Sequence, residues 1–176
     1  CPRAAGRIQW LRRKEKVLKT TDICDAHPND VEVAEPLLRH FGARRCFQGP
    51  VTTLKLHEDN VLVRRAVEQP GHGRVLVVDG GGSTRRALLG DILAGLAAAN
   101  GWAGIVINGC IRDSVDIAEI DVGVLALGTV PLKSRKHGDG EADVSVHFAG
   151  LTFRPGRYVY ADDDGLLLAE HELGSG

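Results

Sequence analysis

Arg112, Asp113 and Asp116 come after an apolar run, Trp102-Ala103-Gly104-Ile105-Val106-Ile107, that reads as a buried strand. A chain leaving its core has no structural need of adjacent opposite charges, because an exposed ion pair contributes at most about 1 kcal/mol. Other chemistry suits them better. A guanidinium offers a planar, two-pronged donor to a carboxylate or keto oxygen, and an aspartate offers an oxygen ligand to Mg²⁺. A second anion-binding element lies at Gly90-Asp91-Ile92-Leu93. Gly90 breaks the preceding segment and Asp91 occupies the expected N-cap of a helix. The free N–H groups of that first turn, with the positive end of the helix dipole, attract carboxylate or phosphate.

Taken singly, each feature has a plainer explanation: helix capping for Asp91, and a cap with a local ion pair for Arg112-Asp113. Convergence changes the balance. In an α/β sheet the exit of one strand and the start of the neighbouring helix share an edge, where ligands bind. A strand over 74–78, a helix over 91–100 and a strand over 104–108 predict that Gly90, Asp91, Ile92, Leu93, Arg112 and Asp113 meet there. Arg112 then holds a carbonyl or carboxylate oxygen, and Asp113 ligates the cation.

Other chemistry-bearing residues rank lower. Asp79-Gly80-Gly81-Gly82-Ser83 lacks the G-x-G-x-x-G spacing of a dinucleotide loop, so it reads as a structural turn that lets backbones approach closely. The seven histidines form no H-x-x-x-H pair, which argues against zinc. Asp162-Asp163-Asp164-Gly165 lacks the alternating spacing of a calcium loop and reads as a hairpin turn. Lys55, on a predicted strand, is the one Schiff-base candidate, and a solvated strand face explains it better.

The elements that must position these residues emerge from periodicity and punctuation. Thr20-Thr21-Asp22 offers a cap for a short helix that Pro28 ends, and a second short helix is expected over 36–41. Residues 50–57 alternate like a half-buried strand, and residues 60–68 are helical. The RVLVV run at 74–78 is continuously apolar, hence covered on both faces. After the helix at 91–100 and the strand at 104–108 come a short helix over 114–120 and a strand over 123–127. A polar, glycine-punctuated loop spans 133–140. Short strands are expected at 144–148, 151–153, 158–161 and 166–169. Strands alternating with helices, then strand after strand, make an α/β domain with a mixed sheet flanked by helices.

At 176 residues, 43% apolar and 26% charged, the chain is an ordinary globular domain rather than two. Its net charge of −1 hides an asymmetry, since residues 20–176 carry 15 basic and 22 acidic side chains. An acidic body argues against nucleic acid as a partner. No stretch is long enough to span a membrane, and none resembles a secretory signal, so the cytoplasm is the expected compartment. Residues 1–19 form a basic leader, expected to be disordered or a short amphipathic helix (Ile8, Leu11, Leu18), trimmed or partly vector-derived. Residues 174–176 read as a tail. Cys24, Cys46 and Cys110 show no C-x-x-C spacing and are expected to be free, buried thiols.

Between about Thr21 and Ala169 the chain resembles the RraA-like family, in FGARRCFQGPVTTLK, EDN, GRVLVVDGGGSTRRALLGD, GWAGIVINGCIRD, AGLTFRPG and YADDDG. That family includes metal-dependent 4-hydroxy-4-methyl-2-oxoglutarate aldolases and a bacterial regulator of ribonuclease E activity. The aldolase branch is marked by an Asp, twenty residues, then Arg-Asp, which Asp91 and Arg112-Asp113 match. The resemblance implies a single swivelling β/β/α domain over 20–173, in homotrimers with sites between subunits. It implies that backbone amides of residues 90–93 bind the substrate carboxylate. Arg112 would contact the keto or enolate oxygen, Asp113 would ligate Mg²⁺ or Mn²⁺, and Asp91 would orient a water for proton transfer. The implied reaction is retro-aldol cleavage to two pyruvates, with oxaloacetate decarboxylation through the same enolate. The rival expectation is a non-catalytic regulator that docks on ribonuclease E. Longer members add a C-terminal Glu that reaches a neighbour's site; this chain ends soon after Glu170 and Glu172, and neither is assigned that role.

Overall fold

Alternation within the apolar runs builds the centre of the molecule. The computed structural model describes residues 18–174. In order, the chain forms α1 (Thr20–Ala26), β1 (Val31–Val33), β2 (Arg39–His40), β3 (Phe47–Lys55), α2 (Val61–Val67), β4 (Val75–Asp79), β5 (Ala87–Leu89) and α3 (Asp91–Ala99). Next come β6 (Gly104–Ile111), α4 (Ser114–Ile117), β7 (Gly123–Thr129), β8 (Glu141–Ala142), β9 (Val146–Phe148), β10 (Leu151–Phe153), β11 (Tyr158–Asp162) and β12 (Gly165–Ala169).

Strands β3, β4, β6 and β7 run parallel, side by side. Leu76, Val78, Ile105 and Ile107 turn to one core, shared with Val63 and Val67 of α2 and Leu93, Ala94 and Ala97 of α3. Val75, Val77 and Val106 turn to a second core with Phe148, Leu151 and Phe153 of the β9–β10 hairpin. A strand buried on both faces must be apolar at every position, which is why these runs do not alternate with polar residues. Antiparallel β11, β12 and β1 extend the sheet beyond β3, and β2 closes the far edge against β7. The whole is a large mixed sheet flanked by few helices.

Three expectations are corrected. The helix expected over 36–41 is a turn leading into β2. Arg39 and His40 pair with Ala126 and Leu125, so the open edge of β7 takes an extended partner and overrides the local helical pattern. Thr20 does not cap α1 from outside but lies within it. Its N–H and hydroxyl donate to the two oxygens of Asp162, each at 2.7 Å, so β11 supplies the cap. Of the thiols, Cys110 is buried and Cys24 half-buried, but Cys46 is exposed. Its neighbour Phe47 opens β3 turned inward against Gly104 and Gly123, and Cys46 lies in the bend before that strand, on the outside. Of the expected leader helix, Ile8 and Leu11 lie outside the described residues, as do Ser175 and Gly176, while Leu18 packs with the Ile23, Tyr160 and Leu167 cluster. No helix among the described residues is long and apolar enough to cross a membrane.

Candidate active site

Two strand ends lying side by side assemble the site. β6 runs between β4 and β7 as far as Asn108, where its register shifts. Beyond the shift Cys110 and Ile111 take β5 as a neighbour in place of β4, while still pairing with β7 on the other side. An irregularity of this kind bends a strand and re-aims the residues beyond it. β5 therefore leads into Gly90 while its neighbour leads into Arg112, and the Arg112 N–H donates to the Leu89 carbonyl at 2.9 Å.

Asp113 sits in the left-handed region, φ 54 and ψ 40. Such a backbone costs on the order of 1 kcal/mol for a residue with a side chain, less for Asp than for most, and is concentrated at functional positions. The turn lays its carboxylate against the start of α3. Asp113 Oδ2 is 3.4 Å from the Asp91 N–H that donates to it, and 3.7 Å from Arg112 Nε. Gly90, rather than Asp91, is the N-cap, in extended geometry, and Asp91 is the first helical residue. The first intrahelical bond runs from the Ala94 N–H to the Gly90 carbonyl at 3.0 Å. Of the N–H groups that precede it, that of Asp91 is taken by Asp113, and those of Ile92 and Leu93 belong to the orphan donors of a helix start. Gly90, Asp91, Ile92, Leu93, Arg112 and Asp113 thus line one cleft of ≈ 100 Å³, as their spacing predicts.

The opposite wall is not legible from spacing. Asn60, Arg64, Lys133, Ser134 and Lys136 complete the cleft. The segment 133–140 is a strap stitched to β5 at its start: the Ala87 N–H donates to the carbonyl of Leu132, the residue just before the strap, at 2.7 Å, and the Ser134 hydroxyl donates to the Ala87 carbonyl at 2.6 Å. Lys136 Nζ donates to Asn60 Oδ1, and Asn60 Nδ2 donates to the Leu88 carbonyl at 3.1 Å. Arg64, Arg112, Lys133 and Lys136 therefore face Asp91 and Asp113, and the cleft is electropositive. Partial desolvation, then the charge of Arg64, push the Lys136 ammonium below its usual range; Asp59 opposes them, and Arg112 and Lys133 add to them. The sequence held a signal, since Lys133 and Lys136 come after the carboxyl end of β7 on the same sheet edge.

Asp91 and Asp113 are the carboxylates of the cleft. Among the described residues no three His, Cys, Asp or Glu side chains cluster to cage an ion. The donor set fits a hard cation such as Mg²⁺, which binds through one or two carboxylates plus substrate oxygens and keeps several waters.

Elsewhere on this edge the glycine turn spends its amides on β6 and on its own Asp79. The Gly80 and Gly82 N–H groups donate to the Asn108 carbonyl at 3.0 and 3.1 Å, and the Gly81 N–H to Asp79 Oδ1 at 2.9 Å. A methyl at Gly80 would lie 2.5 Å from Leu88 Cδ1, so close packing is the turn's role. Lys55 is exposed at the end of β3, outside the cleft, and Asp162 to Gly165 form the β11–β12 hairpin turn.

The RraA-like family model (Aldolase/RraA) matches residues 20–168. A protein of Alkalilimnicola ehrlichii named "Putative 4-hydroxy-4-methyl-2-oxoglutarate aldolase" is 57% identical over 154 residues, 88% of this chain and 96% of that one. Among solved structures, the RNA-processing inhibitor RraA from Thermus thermophilis is 45% identical with a TM-score of 0.86, covering 90% of this chain and 96% of that one. A Geobacillus kaustophilus structure described as an S-adenosylmethionine: 2-dimethylmenaquinone methyltransferase is 48% identical with a TM-score of 0.87, covering 90% and 100%. With the match running from the first residue of α1 through nearly all of β12, the chain belongs to the RraA-like family.

Proposed function

We propose that the cleft is the active site of a divalent-metal-dependent lyase. It cleaves 4-hydroxy-4-methyl-2-oxoglutarate to two pyruvates and decarboxylates oxaloacetate as a side activity. The observation that carries this reading is the meeting of the α3 start, Arg112 and Asp113 in a cleft whose far wall is cationic. A 2-keto acid with a second carboxylate matches both walls. Its 1-carboxylate takes the N–H groups of Ile92 and Leu93, its keto oxygen takes Arg112, and its distal carboxylate takes Lys136, with Lys133 and Arg64 nearby.

In the retro-aldol step the C4 hydroxyl gives up its proton and the C3–C4 electron pair moves onto C3. C4 becomes the keto carbon of one pyruvate, and the other leaves as its enolate, which takes a proton at C3. Arg112 holds the oxygen on which negative charge grows, the kind of donor whose loss costs about 3–4 kcal/mol. Asp91 orients the water that moves the proton. A divalent cation held by Asp113, Mg²⁺ or Mn²⁺, supplies Lewis acidity toward the keto acid when bound. Oxaloacetate losing CO₂ leaves the same enolate, so one site serves both reactions.

What favours a lyase over a docking regulator of ribonuclease E is Asp113, a carboxylate carried on a left-handed backbone into a cleft that a protein-binding surface has no need of. Exposed Ile92 of the cleft itself, with exposed Val115 and Leu132 within two residues of Asp113 and Lys133, presents apolar surface that supports a homotrimer with each site at a subunit boundary. The deciding experiment assays pyruvate release from both substrates with and without EDTA, alongside sedimentation. Activity on both that EDTA abolishes and Mg²⁺ restores, in a trimer, is expected. No release from either substrate, or release indifferent to EDTA, refutes the metal-dependent lyase; a monomer at micromolar concentration refutes the assembly.

A further inference from the structure

Glu58, Asp59 and Asn60 lie between β3 and α2, and Glu58 adopts a left-handed turn, φ 54. Successive side chains therefore splay apart. Glu58 receives the Ser83 hydroxyl at 2.8 Å and Arg85 Nε at 2.6 Å. Asn60 reaches the Leu88 carbonyl and Lys136. Asp59 faces the strap. Its Oδ2 accepts the N–H groups of His137 at 2.7 Å and Gly138 at 2.9 Å, and its Oδ1 accepts that of Val61 at 3.0 Å. Asp59 is only 2% exposed and does not line the cleft. Burial alone would raise its pKa, but the backbone donors of Val61, Gly138, His137 and Asp139 outweigh burial and hold it below the usual carboxylate range.

Lys136 sits between two of these anchors. On one side the Arg135 N–H donates to the Glu58 carbonyl at 2.8 Å; on the other the His137 and Gly138 N–H groups are held by Asp59. A lysine ammonium on a four-carbon stem is a mobile point charge, so where it meets a ligand depends on how firmly its backbone is held. We propose that Asp59 is a positioning residue: its buried carboxylate fixes the strap on which Lys136 rides, and so sets the cleft's preference for keto acids with a second carboxylate. This rests on the cleft being the keto-acid site proposed for the lyase. Asn in place of Asp59 keeps the shape but turns one acceptor oxygen into an N–H donor that faces N–H donors.

The test uses the full-length, Mg²⁺-loaded protein as wild type, Asp59→Asn, Lys136→Met and the double variant. Each is titrated calorimetrically with 2-oxoglutarate, which has the second carboxylate, and with pyruvate, which lacks it. Amide hydrogen exchange is measured in parallel over residues 135–139. Asp59→Asn should speed exchange of the His137 and Gly138 amides. It should weaken 2-oxoglutarate binding about 10- to 100-fold, as losing a hydrogen bond to a charged group does. Pyruvate binding should stay within about twofold, and the substitution should add nothing in the Lys136→Met background, because coupled residues are non-additive. If both acids weaken equally, or the losses at 59 and 136 add in full, Asp59 is merely structural and the proposal fails; unaltered exchange overturns it too. Should Asp59→Asn not fold, Asp59→Glu, which keeps the carboxylate one methylene out of place, carries the same comparison. A wild type that binds both acids but cleaves no substrate refutes the lyase reading and leaves the positioning role standing; one that binds neither acid overturns both.

Discussion

Gly90→Ala would place a methyl group 2.7 Å from Asp113 Oδ2, with Arg112 Nε at 3.5 Å and Arg112 Cγ at 3.6 Å. The backbone there is extended, φ −127 and ψ −173, so alanine meets no conformational strain. The clash is with the tip of one movable side chain, not with backbone or core. To reach ordinary carbon contact distance the Asp113 carboxylate must retreat by about 0.8 Å. Misplacing a catalytic group by about 1 Å costs on the order of 100-fold in rate, close to 2.7 kcal/mol. The stability cost is smaller. Alanine is a poorer N-cap than glycine by about 0.5–1 kcal/mol, which lowers Tm by roughly 1–4 °C in a domain of this size. The assay measures pyruvate release from 4-hydroxy-4-methyl-2-oxoglutarate across a Mg²⁺ titration, alongside thermal melting. The expected result is a folded variant with about 1% of wild-type kcat/KM and a weakened response to Mg²⁺. A variant as active as wild type, with the same Mg²⁺ dependence, would refute the claim that Asp113 must lie where it does against the start of α3.

Asp113→Ala should reduce aldol cleavage and oxaloacetate decarboxylation together by orders of magnitude, and Arg112→Lys should cost both about 2–4 kcal/mol of transition-state stabilisation; sparing one reaction while losing the other would break the shared-enolate site. Borohydride added with labelled pyruvate should leave Lys55 unmodified, because it lies outside the cleft; a trapped adduct on Lys55 would overturn the metal-dependent route. Asp59 and Asp162 both have folded pKa values below the ordinary carboxylate value, because backbone amides, joined at Asp162 by the Thr20 hydroxyl, outweigh the burial that opposes them. Their contribution to stability is present above the unfolded carboxylate pKa of about 3.9 and is lost as pH falls from there through the folded values. Asp59→Asn and Asp162→Asn should each be less stable than wild type at neutral pH and lose stability less steeply on acidification, as read by circular dichroism; a wild-type acid slope in both would contradict this linkage.

Half of the cleft was legible because it obeys a rule of sheet topology. Helix and strand succeed one another across β4, α3 and β6, so the carboxyl edge was fixed by the order of elements, and Gly90, Asp91, Arg112 and Asp113 were placed on it without knowledge of distances. The other half depends on a contact between residues 59 and 137, 78 positions apart. KSRKHGDG has no periodicity, and nothing in it says which side of the sheet it crosses. What determines its path is the β7 exit, the pairing of β8 with β3 at Leu54–Ala142, and the buried Asp59 carboxylate. Residues 36–41 failed for the same reason in reverse. Their helical pattern was local, and the vacant edge of β7 decided the outcome.

This difference in legibility reflects a division of labour. Arg112, Asp113 and the α3 start are held by strand ends that are themselves part of the core: Ile111 and Leu89 are fully buried, and the Arg112 N–H is bonded to Leu89. A change at Ile111 or Leu89 disturbs packing as well as the placement of Arg112, Asp113 and Gly90. The strap is held by polar bonds at a few points, to Ala87, Glu58 and Asp59, and its cationic side chains project from a backbone that adds little to either core. Substitutions at Lys133 or Lys136 can alter charge at the cleft without cost to the core. The groups that would perform the bond cleavage are therefore built into the sheet, and the groups that would read the rest of the substrate are carried on a strap. Such an arrangement lets one enolate chemistry be kept while the acid that enters is changed.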